Sequence, residues 1–362
     1  MLFYIIIFTL LYILAHIEIG QSVKQSSKLP IFIFLIIFFF VLSFIRYERG
    51  TDWDAYYSFF TSNETYAEFK SYLFEPFFTL LNYIIKSITD KYYILLMVLS
   101  LIIFTLKSKI IWKYSPYPYM SILILYALYR GDIFFVRETI AIALCLYSIK
   151  YIVQYKKIHY VVCIIIASLF HASSIIFIPA YYLYYTKITP RKFAIYFIVL
   201  FIVGFCTRIL LEAAGTILGE NYLWRINAYL DTEGETFGMQ DSIQKALFKG
   251  IINRGIFIAL FMYIYVKRST SNIFKGFANL YFASVMLFLT FMPISYAFAR
   301  LANSYEQVLI ILLPLAIKQF NIESRRILSI IIGIYLFIRF YSFSLTGSYS
   351  EHFVPFKSIF AE

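Results

Sequence analysis

Residues 30–45 read Pro-Ile-Phe-Ile-Phe-Leu-Ile-Ile-Phe-Phe-Phe-Val-Leu-Ser-Phe-Ile, an apolar run without a single charge. A helix of this sequence has no polar face, so it cannot lie half-exposed on a soluble core. Its length approaches the roughly 20 residues of a membrane-crossing helix. The rest of the chain has the same character. Of 362 residues, 61% are hydrophobic and 14% charged, with a mean hydropathy of +0.76. Soluble proteins are nearer half apolar and a quarter charged. A single soluble core could not hide this much apolar surface, so the solvent must be lipid. The composition predicts an all-α polytopic membrane protein, one integral-membrane domain over residues 1–362.

Other classes fall away. Cys145, Cys163 and Cys206 stand alone in apolar runs and read as small core residues, not a disulfide framework. The four histidines form no HExxH pattern and have no partner at zinc-ligand spacing, so no metal site is expected. Leu2 to Ile17 lacks a basic leader and a small-residue cleavage site and reads as a retained helix. The net charge of +12 would suit nucleic acid, but its distribution points elsewhere.

Apolar runs predict about twelve passes, near 2–17, 30–45, 91–106, 118–130, 134–153, 158–170, 173–186, 193–211, 251–266, 277–292, 301–317 and 326–343. Several are short, since about thirteen residues cover roughly 20 Å of a hydrocarbon core of about 30 Å. The pairs 118–130/134–153 and 158–170/173–186 are therefore expected to meet at joints sunk below the membrane surface, as broken helices do where they line a cavity. Alternate loops gather the cations: Lys24 and Lys28; Lys107, Lys109 and Lys113; Lys150, Lys156 and Lys157; Lys187, Arg191 and Lys192; Lys267, Arg268 and Lys275; Lys318, Arg325 and Arg326. Glu18 and Glu323 are the accompanying acids. This is the positive-inside asymmetry. It explains the basic character without nucleic acid and places both termini outside, with two long outer loops at 46–73 and 212–250. Residues 74–89 put Glu75, Thr79, Asn82 and Lys86 on one stripe. They are expected to form an amphipathic helix at the outer interface, the alternative being a bundle helix with its polar stripe turned inward.

Ionisable residues crowd the outer side. Arg130, Arg137, Arg208, Arg254, Arg300 and Arg339 adjoin or interrupt apolar helices. An arginine at the bilayer centre costs about 2.5–3.5 kcal/mol on insertion scales. Each alone could pair with an acid or snorkel. As a set on one side they point to an anionic guest, because the guanidinium fork suits phosphate and pyrophosphate. Arg300, Asn303, Ser304 and Gln307 recur at helical spacing and predict a wet stripe. His171 opens a His-Ala-Ser-Ser break between two short helices. The first outer loop, Arg46-Tyr47-Glu48-Arg49-Gly50-Thr51-Asp52-Trp53 with Tyr56, sets aromatic faces and acids suited to sugars around one glycine. The second repeats the mixture with Tyr222, Trp224, Arg225, Tyr229 and Asp231. The expected substrate-binding residues are thus Arg46, Arg49, Tyr56, Arg130, Arg137, Arg225, Arg300, Asn303 and Gln307. An interfacial aromatic belt with solvated charges would account for some of them.

Asp52, Glu75 and His171 are the candidates for proton transfer. Arg46 and Arg49 beside Asp52 favour an ionised acid that binds a sugar hydroxyl or orders the loop. Pro76 after Glu75 suggests a helix start. Histidine ordinarily titrates at about 6.5, which suits a base at neutral pH, and His171 is preferred over Asp52.

The pattern Arg46, Gly50, Thr51, Asp52, Trp53 and Tyr56 resembles the first-loop signature of the EpsG family, which belongs with the Wzy-type bacterial polysaccharide polymerases. Phe135-Val136-Arg137 resembles the family's arginine segment at the head of an apolar helix. Leu169-Phe170-His171-Ala172-Ser173-Ser174 with Pro179 is similar to its His-x-Ser segment. Arg300, Tyr305 and Pro314 resemble its Arg-x(4)-Tyr helix, and Val354-Pro355-Phe356-Lys357 its tail. Phe356 stands where tyrosine is usual, and Glu306 where an aromatic is usual. The resemblance implies a glycosyltransferase-C-like membrane fold and a metal-independent glycosyltransferase without cofactor. Such an enzyme joins undecaprenyl-pyrophosphate-linked repeat units into O-antigen, capsule or exopolysaccharide at the outer face of the bacterial plasma membrane. Its partners would be the lipid-linked glycan donor and acceptor and membrane lipid, with a chain-length regulator protein as a further one. A lipid-linked oligosaccharide flippase or an O-antigen ligase would also need buried polar residues. A carrier, however, must present its site to both faces, and the chain shows neither an internal repeat nor two-sided charge.

Overall fold

Long apolar runs fold as helices, and one of them, Gln25–Phe44, continues through Pro30. The structure, a computed structural model, describes residues 1–21, 24–72, 74–218, 243–267, 270–344 and 350–360, and among these no strand forms. From the N-terminus run α1 (Leu2–Gly20), α2 (Gln25–Phe44), α3 (Trp53–Thr61), α4 (Tyr66–Ser71), α5 (Pro76–Ile88), α6 (Tyr92–Tyr114), α7 (Pro118–Leu128), α8 (Gly131–Phe134), α9 (Arg137–Val153) and α10 (Lys157–Phe170). The longest later helices are Pro190–Leu218, Ile243–Lys267, Asn272–Phe291 and Ile322–Ser344.

The protein is an all-helical, multi-pass membrane protein, with fewer helices of full crossing length than the about twelve passes, some short or broken, that the apolar runs predict. Among the described residues six helices are long and apolar enough to cross: α1, α2, α6, Pro190–Thr207, Ile243–Lys267 and Asn272–Phe291. They are seven if the bent pair Tyr296–Glu306 and Leu309–Ile317 is one span. The apolar run at 118–130 yields only α7, 11 residues long, about 17 Å at 1.5 Å per residue. The run at 173–186 yields a 3-10 turn, Ala172–Phe177, and the short helix Ala180–Leu183. Hydrophobicity alone does not make a span.

The chain divides into two compact units, Met1–Ile178 with Ile310–Glu362, and Pro179–Leu309. In the first, α7 lies against α1 and Ile322–Ser344, while α6 packs on α2 and α9. Two buried ion pairs hold this unit, and both involve residues that the charge pattern places in solvated loops. Glu18 meets Lys28 at 3.0 Å, and its carboxylate also accepts the backbone N–H groups of Tyr119 (2.9 Å) and Met120 (3.3 Å) at the start of α7. Those first-turn groups have no partner within their own helix. Lys107, inside α6, pairs with Asp132 of α8, both side chains shut off from solvent. With its charge met there, Lys107 does not end the helix, and α6 runs on to Tyr114.

α5 turns its polar stripe into the protein. Thr79 and Asn82 are buried, while Leu80, Ile84 and Ile88 are exposed. Lys86 pairs with the exposed carboxylates of Glu64 (3.1 Å) and Asp90 (2.9 Å). The buried Thr79 and Asn82 match the alternative of a polar stripe turned inward.

The C-terminal residues fold back over the first loop. Tyr47 N–H donates to the Lys357 carbonyl (3.0 Å), Gly50 N–H to His352 (2.9 Å) and Ile359 N–H to Ile45 (2.9 Å). Lys357 pairs with Glu48 at 2.6 Å, and that hydrogen bond holds the Glu48 carboxyl below its ordinary range. Gly50 adopts φ +111°, and a Cβ there would lie 2.6 Å from the Phe134 carbonyl oxygen. Gly50→Ala is therefore expected to cost about 1–3 kcal/mol, read as a lower melting temperature in detergent. An unchanged melt would show that the loop can reshape around the methyl.

In the second unit, Asn272–Phe291 packs against Pro190–Leu218, Ile243–Lys267 and the turns at 296–306. Gly204 allows the closest approach, since a Cβ there would lie 2.5 Å from the Thr290 carbonyl oxygen. Cys206, expected in the core, is exposed; Cys145 and Cys163, in the first unit, are buried.

Candidate functional site

Three residues from separate parts of the first unit converge on one carboxylate. Glu75 is the N-cap of α5, followed by Pro76 at N1. Its side chain makes no bond to its own helix and reaches outward instead. Oε2 accepts from an Arg137 terminal nitrogen at 2.8 Å. Oε1 accepts from the Ala172 N–H at 2.9 Å and lies 3.1 Å from His171 Nδ1. All three side chains are partly open, at 16% for Glu75, 20% for Arg137 and 21% for His171, so the cluster can meet a ligand.

Each arm has a local cause. Arg137 is the first residue of α9, where the positive end of the helix dipole disfavours a cation. Glu75 compensates, and the Phe74 ring lies 4.7 Å from the guanidinium carbon. His171 ends α10 in an extended conformation, φ −156° and ψ 116°, before the chain tightens into the 3-10 turn. Ser174 fixes it by donating both N–H (3.1 Å) and Oγ–H (3.0 Å) to the His171 carbonyl. The Phe170 ring meets Phe77 edge-on at 5.7 Å.

Burial pushes the Glu75 carboxyl up, but the His171 and Ala172 hydrogen bonds and the Arg137 charge outweigh it, and the net value is about 2. The group is ionised at neutral pH and can only accept. His171 Nδ1 must then be the donor, which leaves Nε2 of the neutral ring with a lone pair. The arrangement can take a proton at Nε2 and stabilise the resulting imidazolium through Glu75.

The other expected site residues lie elsewhere. The Asp52 carboxylate accepts only from Thr51 Oγ1, at 3.2 Å, among the described hydrogen bonds. Arg46 and Arg49 do not turn toward it. Arg46 is 2% exposed and donates to the carbonyls of Ser43 and Ile133, both at 2.6 Å, so it ties α2 to the break before α9. Arg49 donates to the carbonyls of Pro355 (2.6 Å) and Glu351 (3.3 Å) in the tail. Tyr56 is buried among Phe74 and Phe78. Arg130, 3% exposed, has no hydrogen-bond partner among the described residues; its guanidinium carbon lies 4.8 Å from the Tyr4 and Phe340 rings and 5.4 Å from Phe353. Arg46, Tyr56 and Arg130 are thus buried in this structure, where each also contributes to packing.

In the second unit the run at 301–317 is not one helix. Arg300 begins a 3-10 turn, Asn303 starts a short helix and Gln307 caps it. Arg300 and Asn303 are partly open, and Gln307 is buried. Arg254 is ion-paired with Glu306 and lies over the Phe288 ring. Arg225 and the rest of 219–242 fall outside the described residues, as does the side chain of Arg208. The tail's contact with the first loop was missed, although opposite charges at Glu48 and Lys357 were a usable signal. Among the described residues no group of three or more His, Cys, Asp or Glu is placed to hold a metal ion.

The model of the EpsG family matches residues 29–358, nearly the whole chain. The chain belongs to the EpsG family. EpsG proteins are Wzy-type polysaccharide polymerase-like proteins, and the match takes in the first loop, the Glu75 cluster and the EpsG-like tail. No curated protein and no solved structure matches the chain.

Proposed function

We propose that this EpsG-family protein is a membrane glycosyltransferase that polymerises lipid-linked repeat units. The growing glycan on one undecaprenyl pyrophosphate is the donor, and a single lipid-linked unit the acceptor. An acceptor hydroxyl attacks the anomeric carbon, the glycosyl–pyrophosphate bond breaks, and the lipid pyrophosphate leaves. The hydroxyl proton passes to His171 Nε2, with Glu75 stabilising the imidazolium. Arginine at the site's edge favours the anionic leaving group. The positive-inside charge pattern supports a reaction at the outer face of the bacterial plasma membrane.

The observation that carries this reading is the Glu75 carboxylate gathered by Arg137, His171 and the Ala172 N–H. Purified protein incubated with synthetic lipid-linked repeat units is expected to give a product ladder. His171→Gln should slow ladder growth about 100-fold and flatten its dependence on pH. A protein that moves the units across vesicles without lengthening them would instead be a flippase. Full turnover with an unchanged pH profile in His171→Gln would make the histidine structural.

A further inference from the structure

α9 and α10 form an antiparallel hairpin whose far ends carry Arg137 and His171, and toward its other end both helices line an open cavity of about 380 Å³. That volume falls within the range of small-ligand sites, roughly 300–1,000 Å³. Its walls are aliphatic: Leu144 from α9, and Ile158, Val162 and Ile166 from α10. Its rim is aromatic, with Tyr147, Tyr151 and His159, and a cation lies beside that rim without lining the cavity. Lys150 Nζ lies 3.6 Å from the Tyr147 ring centre and 4.5 Å from that of Tyr151, and both tyrosines line the cavity. His159 completes the rim, its ring 5.5 Å from Tyr151. Lys156 and Lys157 are exposed immediately before Ile158. Between Glu138 and Glu212 the chain contains no Asp or Glu at all, so no nearby residue in sequence offsets these cations.

An aliphatic trough with a basic, aromatic mouth fits a molecule with an apolar tail and an anionic head. We propose that the groove between α9 and α10 binds one anionic phospholipid of the surrounding bilayer. An acyl chain lies along Leu144, Val162 and Ile166, and the head-group phosphate meets Lys150 between Tyr147 and Tyr151, with Lys156 and Lys157 adding long-range attraction. A lipid seated there bridges the two helices that present Arg137 and His171. The binding itself does not depend on the polymerase reading.

The test reads bound lipid, not glycan synthesis. The protein is reconstituted with equal amounts of phosphatidylglycerol and phosphatidylcholine, extracted in mild detergent, and weighed with its retained lipids by native mass spectrometry. Phosphatidylglycerol should be retained in clear excess. Lys150→Gln should lower that excess about fivefold and Lys150→Arg should preserve it. Val162→Trp, at an exposed position, should fill the trough and remove the retained lipid. Equal retention of the two lipids, or an excess that survives both Lys150→Gln and Val162→Trp, overturns the proposal. A dimer that Val162→Trp abolishes also overturns it, because the groove would then seat a second chain.

Discussion

Glu75→Gln is expected to slow polymer formation at least about 100-fold in purified protein at matched amounts. The two side chains have nearly the same shape, so the effect isolates charge. Glutamine offers one acceptor where the carboxylate offers two, and its NH2 can face His171 as a competing donor. The tautomer that leaves Nε2 free is then no longer enforced, and no anion stabilises the imidazolium. Arg137 also loses its counter-ion at 2.8 Å. Wild-type ladder growth in Glu75→Gln would remove the cluster from the mechanism. Asp52→Asn should be milder and weaken substrate binding, because the Asp52 carboxylate meets only Thr51 Oγ1 among the described hydrogen bonds. The same carboxylate sets an acid limit. Its folded value, about 2, lies below the ordinary 4.5. Its stabilisation is therefore complete above about pH 4.5 and is lost as pH falls from there towards 2. Glu75→Gln should remove that portion of the acid sensitivity.

Lys107→Met is expected to destabilise the protein by about 3–5 kcal/mol, the usual consequence of removing one member of a buried ion pair. Asp132, with its side chain 2% exposed, would keep its charge without the cation that faces it. The loss should reach function as well as folding, since α8 lies in the break between α7 and α9, and α9 begins with Arg137. Thermal melts in detergent would measure the first effect and ladder growth the second. Combining Lys107→Met with Asp132→Leu should recover most of the stability, because two apolar side chains avoid the desolvation of both charges. Single variants that melt with the wild type would show that the pair is not a keystone of the break.

The helical class and the lipid environment were legible because they depend on local properties. Residues 30–45 are apolar on every side, and no partner elsewhere in the chain alters what that implies. The first-loop signature was legible for a similar reason: Gly50, at φ +111° against the Phe134 carbonyl, is a local backbone requirement written as a residue type. Glu75, Arg137 and His171 could each be singled out as ionisable groups costly to keep near lipid.

What joins them was not legible. Glu75 lies 62 residues from Arg137 and 96 from His171, and no periodicity connects positions so far apart. Lys107 and Lys28 read as loop cations because the sequence displays a charge without displaying the buried acid that meets it. Pairing with Asp132 let α6 continue through an apparent boundary, and pairing with Glu18 drew Lys28 inside. Arg46 and Arg130 read as ligand-binding for the same reason: carbonyls and aromatic rings from distant segments answer their charge. Apolar composition and the length of the apolar runs by themselves determined that this chain is helical and lives in lipid. Which charges were met by the protein and which were left open to a guest only the tertiary structure decided, because a charge is satisfied by whatever the fold brings within about 3–4 Å of it, however far away in sequence.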